Sequence, residues 1–196
     1  MKTERRGRII YVWPLILLMA ACNEGQKSTE KLFNFDGLID DQISQLSQRA
    51  RVVDKASELD GEKSDSTFLP SSKGWGDELW AFRQLELINK PAYRNVYKVE
   101  DPVKDSRSNL KVRRFQSSSS PISVVSFYYQ GDFTRLRKIE ALLTESNILY
   151  TTHRELTMEF EEEDNKPILS SYSLNGFQKV PFTDTVRFSV TARIEW

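Results

Sequence analysis

One thiol and one imidazole, Cys22 and His153, make up the entire cysteine and histidine inventory of this 196-residue chain. A zinc site of the usual Cys/His kind cannot be assembled from them within one chain. If Cys22 is consumed by modification, no disulfide, thiolate nucleophile or cysteine metal site is left. His153 is the one side chain whose ordinary pKa suits a general base near neutrality. It sits in register with Glu155 and Thr157 on the polar side of a strand-like run. A triad also needs a serine held by the fold, and no Gly-x-Ser-x-Gly elbow occurs. Carboxylates crowd Glu159, Glu161, Glu162, Glu163 and Asp164, yet no glycine lies among them to turn a calcium loop. That run reads as a solvated hairpin tip. The expected catalytic set, metal site and cofactor are therefore none.

The segment before Cys22 has a chemistry of its own. Lys2, Arg5, Arg6 and Arg8 precede an apolar run from Ile9 to Ala21, interrupted by Pro14, and Leu18-Met19-Ala20-Ala21-Cys22 closes it. The run is too short for a retained spanning helix, which needs about 20 apolar residues. This resembles the lipobox of bacterial lipoproteins, with Met19 where leucine is usual. The resemblance implies a signal peptide over 1–21, cleavage before Cys22, and diacylglycerol and palmitate-type acyl chains on Cys22. A lipidated tether over 22–34 would follow. One acyl chain holds a protein weakly and several hold it firmly. The implied place is the cell envelope, most simply the outer membrane, with periplasmic and surface sides both open.

Charge narrows the partners. Of 28 basic and 28 acidic residues, four basic and one acidic lie before Cys22, so the remainder carries a net charge of −3. That excludes nucleic acid, whose binding needs a basic excess to replace counterions. Arg113, Arg114, Arg135, Arg137 and Lys138 could form a local basic patch for anionic headgroups or glycans. Pairing across strands with Glu140 or Glu155 is their more ordinary use. Asp65-Ser66-Thr67 and Asp184-Thr185-Val186 resemble the short O-glycan acceptor pattern of Bacteroidota, which singles out Ser66 and Thr185.

The elements that must position these groups are legible in part. From Asp36, read as an N-cap, Ile39, Ile43, Leu46, Ala50 and Val53 recur at helical spacing. Residues 58–73 mix charge with Ser, Gly and Pro and read as a loop. A second helix is predicted over 77–88, capped by Asp77, with Leu79, Trp80, Phe82, Leu85, Leu87 and Ile88 largely buried. Strands are predicted at 93–99, 110–117, 122–129, 135–143, 148–160, 168–177 and 186–196. In the last, Val186, Phe188, Val190, Ala192, Ile194 and Trp196 alternate with polar residues. Phe127, Tyr128 and Tyr129 make one strand apolar on both faces, as core packing or an apolar cavity would each require. Ser117 to Ser120 with Pro121 reads as a flexible connection.

The expected fold is α+β: two N-terminal helices packed on a long, curved antiparallel β-meander of about seven strands, half-barrel-like, in a single domain over 35–196. Phe35-Asp36-Gly37-Leu38-Ile39-Asp40, Trp75 with Glu78-Leu79-Trp80-Ala81-Phe82, Ile88-Asn89-Lys90-Pro91-Ala92-Tyr93 and Asn175-Gly176-Phe177-Gln178-Lys179 resemble a group of Bacteroidota lipoproteins with no assigned activity. The architecture is also similar to the half-barrel of periplasmic lipoprotein carriers and receptors, a likeness of fold only. These implications converge on a non-enzymatic envelope lipoprotein that binds a lipid-like ligand or a partner protein through its sheet. A structural or assembly factor of an outer-membrane complex is the alternative, and a hydrolase using His153 and Glu155 a more distant one.

Overall fold

The computed structural model describes residues 30–50 and 52–196. Cys22, the signal segment and most of the tether lie outside the described residues. Lys31–Trp196 forms one compact unit. Its elements are α1 (Phe35–Arg49), β1 (Val52–Leu59), β2 (Glu62–Phe68), α2 (Ser72–Glu78), α3 (Trp80–Arg83), a 3-10 turn (Gln84–Asn89), then β3 (Lys98–Lys104), β4 (Lys111–Gln116), β5 (Ile122–Tyr129), β6 (Leu136–Ser146), β7 (Thr151–Glu163), β8 (Lys166–Lys179) and β9 (Val186–Glu195).

All nine strands join one antiparallel sheet in the order β2-β1-β9-β8-β7-β6-β5-β4-β3. The seven strands of the expected meander are β3 to β9. The added hairpin β1–β2 corrects the reading of 58–73 as a loop. β2 is an edge strand with six of its seven residues exposed, so its sequence carries no buried face to betray it. Charged and polar side chains on such an edge also discourage pairing with another chain. Asp60-Gly61 makes its turn, both at positive φ (50° and 91°), the geometry that Asp-Gly favours in a two-residue hairpin. β3 forms the other edge and begins at Lys98, five residues later than predicted, and its Pro102 is tolerated there because an edge strand can spare a donor. β9 is interior, bonded to β8 on one side and β1 on the other.

The helices are not all N-terminal to the sheet. α1 precedes it, whereas α2, α3 and the 3-10 turn lie between β2 and β3. α1 stops at Arg49, short of the stripe's Ala50 and Val53, because the β-branched pair Val52-Val53 starts β1, where Val53 faces Ile194. Asn34, not Asp36, caps α1 by accepting from the Gly37 N–H at 3.2 Å. Asp36 lies in the first turn, where a carboxylate suits the helix dipole. Ser71, not Asp77, caps the next helix by accepting from Gly74 N–H. The predicted 77–88 helix is broken at Leu79 into α2, α3 and the 3-10 turn, and the break turns Trp80 outward to 62% exposure.

The core lies between these helices and one face of the sheet. Phe35, Ile39, Leu46, Trp75, Phe82, Leu85 and Ile88 meet Phe127, Ile139, Leu156, Met158, Tyr172, Ala192 and Ile194. Each Leu, Ile, Phe or Met side chain among them contributes about 1.5–3 kcal/mol of burial. Leu32 and Phe33, in the segment read as tether, also pack here, and Phe33 stands 4.5 Å from the ring of Phe127. Leu156, Met158 and Phe160 of β7 point inward as their alternation requires. Among the described residues, no helix is long and apolar enough to cross a membrane.

Candidate functional site

Helices cover one face of the sheet. The side chains of the other face are Val124, Ser126 and Tyr128 on β5, Glu140, Leu142 and Thr144 on β6, and His153, Glu155 and Thr157 on β7. Register places them in rows: Val124 opposite Leu142, Ser126 opposite Glu140, Glu140 opposite Thr157, Leu142 opposite Glu155 and Thr144 opposite His153. Period-two alternation puts all of them on this side, because their sequence neighbours Val125, Phe127, Ala141, Leu143, Leu156 and Met158 fill the core. A half-open depression of about 350 Å³ sits among them, lined by Val124, Ser126, Glu140, Leu142, Glu155 and Thr157 together with Ala141 and Leu156.

The depression has an apolar floor and a graded rim. Val124 and Leu142 are only half-covered. Glu140 accepts from Tyr128 Oη at 2.6 Å and from Lys138 Nζ at 2.7 Å, and the ammonium lies 4.3 Å from the Tyr128 ring centre. Burial alone would raise the Glu140 pKa, but these two hydrogen bonds and the charge of Lys138 outweigh it and hold the carboxyl below its ordinary value. The Tyr128 phenol is pushed up to about 12, first by burial and then by the neighbouring carboxylate. Both groups keep one protonation state across the physiological range. Ser126, almost fully buried, accepts from Arg114 Nε at 3.3 Å. Glu155 differs: its side chain is 64% exposed and meets His153 Nε2 at 3.4 Å.

His153 occupies the polar face, as its register with Glu155 and Thr157 requires. Its Nδ1 lies 3.4 Å from Thr144 Oγ1, and its ring stacks on Phe177 at 5.6 Å and 11°. Hydroxyl, imidazole and carboxylate thus share a line across β6 and β7, the residue types of a triad. Both contacts exceed the roughly 2.6–3.2 Å reach of a working proton relay, and the imidazole is fixed by stacking. The geometry is that of a tethered ring on a solvated face.

The other sequence candidates disperse. The basic residues do not gather: Arg113 binds Asp101 at 2.6 Å and covers Phe133, Arg114 goes to Ser126, and Lys138 to Glu140. Arg135 and Arg137 share Glu162 at 3.0 and 2.6 Å. The acidic run is spent on structure, since Glu163 and Asp164 hold Arg49 while Glu159 accepts from Ser171 Oγ. Among the described residues no group of His, Cys, Asp and Glu side chains could hold a metal ion. Of the aromatic trio, Phe127 and Tyr129 enter the core and Tyr128 stands on the open face. Ser66 is exposed on the edge strand β2, and Thr185 is half-buried just before β9. Ser120 of the serine run accepts from Tyr97 Oη at 2.7 Å.

Two arrangements escaped sequence reasoning. The Tyr172 hydroxyl donates to Glu78, which also binds Lys55 at 2.7 Å, joining β8, α2 and β1. Burial, then the Glu78 carboxylate, raises the Tyr172 phenol far above its ordinary value. Glu86 accepts from the N–H groups of Phe35 and Asp36 at 3.0 and 3.3 Å, and binds Lys31 at 2.7 Å. It caps α1 from 50 residues away, and no local spacing signals such a partner. No family model matches the chain, and no match was found among curated proteins.

Proposed function

We propose that the protein is a non-enzymatic envelope lipoprotein, held to a membrane through lipidated Cys22, that docks a partner protein on the uncovered face of its sheet. The single observation carrying this reading is the asymmetry of the two faces. The helix-covered face is filled by large side chains, including Trp75, Phe35 and Phe82 at essentially zero exposure, which leaves the uncovered face as the surface for recognition. There the depression offers an apolar floor and one weakly engaged carboxylate, Glu155. An apolar side chain flanked by Lys or Arg complements it: the first covers Val124 and Leu142, the second meets Glu155. The filled inner face supports partner binding over lipid carriage, and an assembly or structural role in the envelope is consistent with it.

The test has two arms. Labelling with radioactive palmitate should mark the wild-type chain and leave Cys22→Ser unmarked. A photo-crosslinker at Leu142 should give a discrete adduct in intact cells that Glu155→Lys removes, while the same probe at Trp80 gives none. Native mass spectrometry of the Cys22→Ser chain, which has no covalent lipid, should return the bare protein mass. A co-purifying mass in the lipid range would return the carrier reading to first place.

A further inference from the structure

Three hairpin ends point the same way. Thr151 at the start of β7 pairs with Lys179 at the end of β8, Gln178 pairs with Val186 at the start of β9, and Leu59 at the end of β1 pairs with Phe188. The β6–β7, β8–β9 and β1–β2 turns therefore lie side by side at one end of the sheet. The first two turns carry large apolar groups into solvent: Ile148 at 92% and Leu149 at 71% exposure, and Phe182 fully exposed. Phe182 has φ 65°, a left-handed conformation rare for a bulky residue, and such outliers point to a functional demand.

We propose that these tips insert into the interfacial layer of a phospholipid bilayer. Composition and hydrogen bonding both favour lipid over protein as the occupant. Ser146 to Thr152 and Val180 to Thr183 contain no charged residue. Backbone groups entering lipid must be satisfied from within. In the first tip the Asn147 side chain accepts from the N–H groups of Leu149 and Tyr150 at 2.8 and 3.0 Å, and Asn147 N–H donates to the Tyr150 carbonyl. In the second, Thr183 donates to the Val180 carbonyl through both its N–H and its hydroxyl, and Pro181 has no N–H to satisfy. Tyr150, at the base of its tip, suits the headgroup level, where amphipathic rings collect. Lys179 and Arg187 flank the second tip against Asp184, and Glu145 lies behind the first, so no net positive charge selects anionic lipid. Zwitterionic lipid suffices.

The experiment uses the whole chain with Cys22→Ser, so that each introduced thiol is the only one and the outcome does not depend on acylation. An environment-sensitive fluorophore is attached at Ile148→Cys, Phe182→Cys or, at the opposite end of the sheet, Asn165→Cys. Phosphatidylcholine vesicles should shift emission to the blue and raise it severalfold at 148 and 182, leave it unchanged at 165, and do so with little dependence on salt. Spin-labelled lipid should quench the first two probes alone. Ile148→Asp with Phe182→Asp should lower the vesicle response of a probe at Leu149→Cys about ten-fold while the urea midpoint stays put. Unshifted probes at both tips, or equal shifts at 165, overturn the proposal. Shifts that occur only in native envelope membranes and not in pure lipid also overturn it, in favour of a protein partner at this end.

Discussion

Gln42 is the residue whose replacement should most directly reveal how α1 is fixed to the sheet. It is buried to 1% exposure, and both ends of its amide engage the start of β8: Nε2 donates to the Pro167 carbonyl at 3.0 Å and Oε1 accepts from the Leu169 N–H at 2.8 Å. Gln42→Leu fills a similar volume but removes both bonds and leaves a buried N–H without its acceptor. An unsatisfied buried donor costs about 1–3 kcal/mol, and the weakened carbonyl adds to it, while the apolar side chain gives a little back. The expected loss is about 2–4 kcal/mol, read as a lower urea midpoint with the slope unchanged. Gln42→Glu sharpens the argument. Its carboxylate still accepts from Leu169 but faces the Pro167 carbonyl with no proton to donate, so its folded-state pKa should rise above the unfolded one. The variant should then approach wild-type stability below the unfolded pKa and lose stability as pH rises through the folded pKa. A Gln42→Leu penalty under about 0.5 kcal/mol, or a Gln42→Glu penalty flat with pH, would refute the reasoning.

Gly176 has no room for a side chain: a methyl there meets the His153 carbonyl and the tip of the Phe188 ring. Gly176→Ala should destabilise by about 1–3 kcal/mol in thermal or urea unfolding. Glu86 is held below its ordinary pKa of 4.5: burial opposes this, but the bonds from Lys31, Asn89 and the α1 N-terminus prevail. Its contribution is therefore complete above that value and lost as pH falls through the depressed folded-state pKa, so Glu86→Gln should flatten the acid limb of a stability–pH curve. Val124→Arg, on the solvent-facing side, should shift stability by less than about 0.5 kcal/mol yet abolish the adduct formed by the crosslinker at Leu142, which separates docking from folding.

Alternation was the strongest signal in this sequence, and it was physically complete wherever one strand face was buried. The run Leu156, Met158 and Phe160 carries its burial pattern in its residue types, because period two leaves each side chain no choice of face, whereas residues 122–129 are apolar on both faces and bury Ser126 while Val124 stays half-covered. Where neither face is buried, that signal vanishes: β2 is polar on both sides, and only Asp60-Gly61 marked the hairpin that the loop reading passed over. The 77–88 helix failed for the opposite reason. Its apolar residues go almost all round, so periodicity could not reveal that the chain breaks at Leu79 and turns Trp80 outward.

The candidate site divides along the same line. That His153, Glu155 and Thr157 share a polar face follows from local spacing. That they stand beside Val124, Ser126, Glu140 and Leu142 follows from register across three strands, which bonding between distant segments decides. The sequence alone determined the export-signal resemblance, the absence of a second cysteine or histidine, and the strand-rich composition, since each depends on residue identity and short-range order. Tertiary structure alone decided that β9 lies inside the sheet, that Glu86 caps a helix across 50 residues, that the basic residues are divided among Asp101, Ser126, Glu140 and Glu162, and that the described helices fill one face and leave the other uncovered. Those outcomes depend on which distant groups come within a few ångströms, where hydrogen bonds and desolvation act, and short-range order carries no record of that.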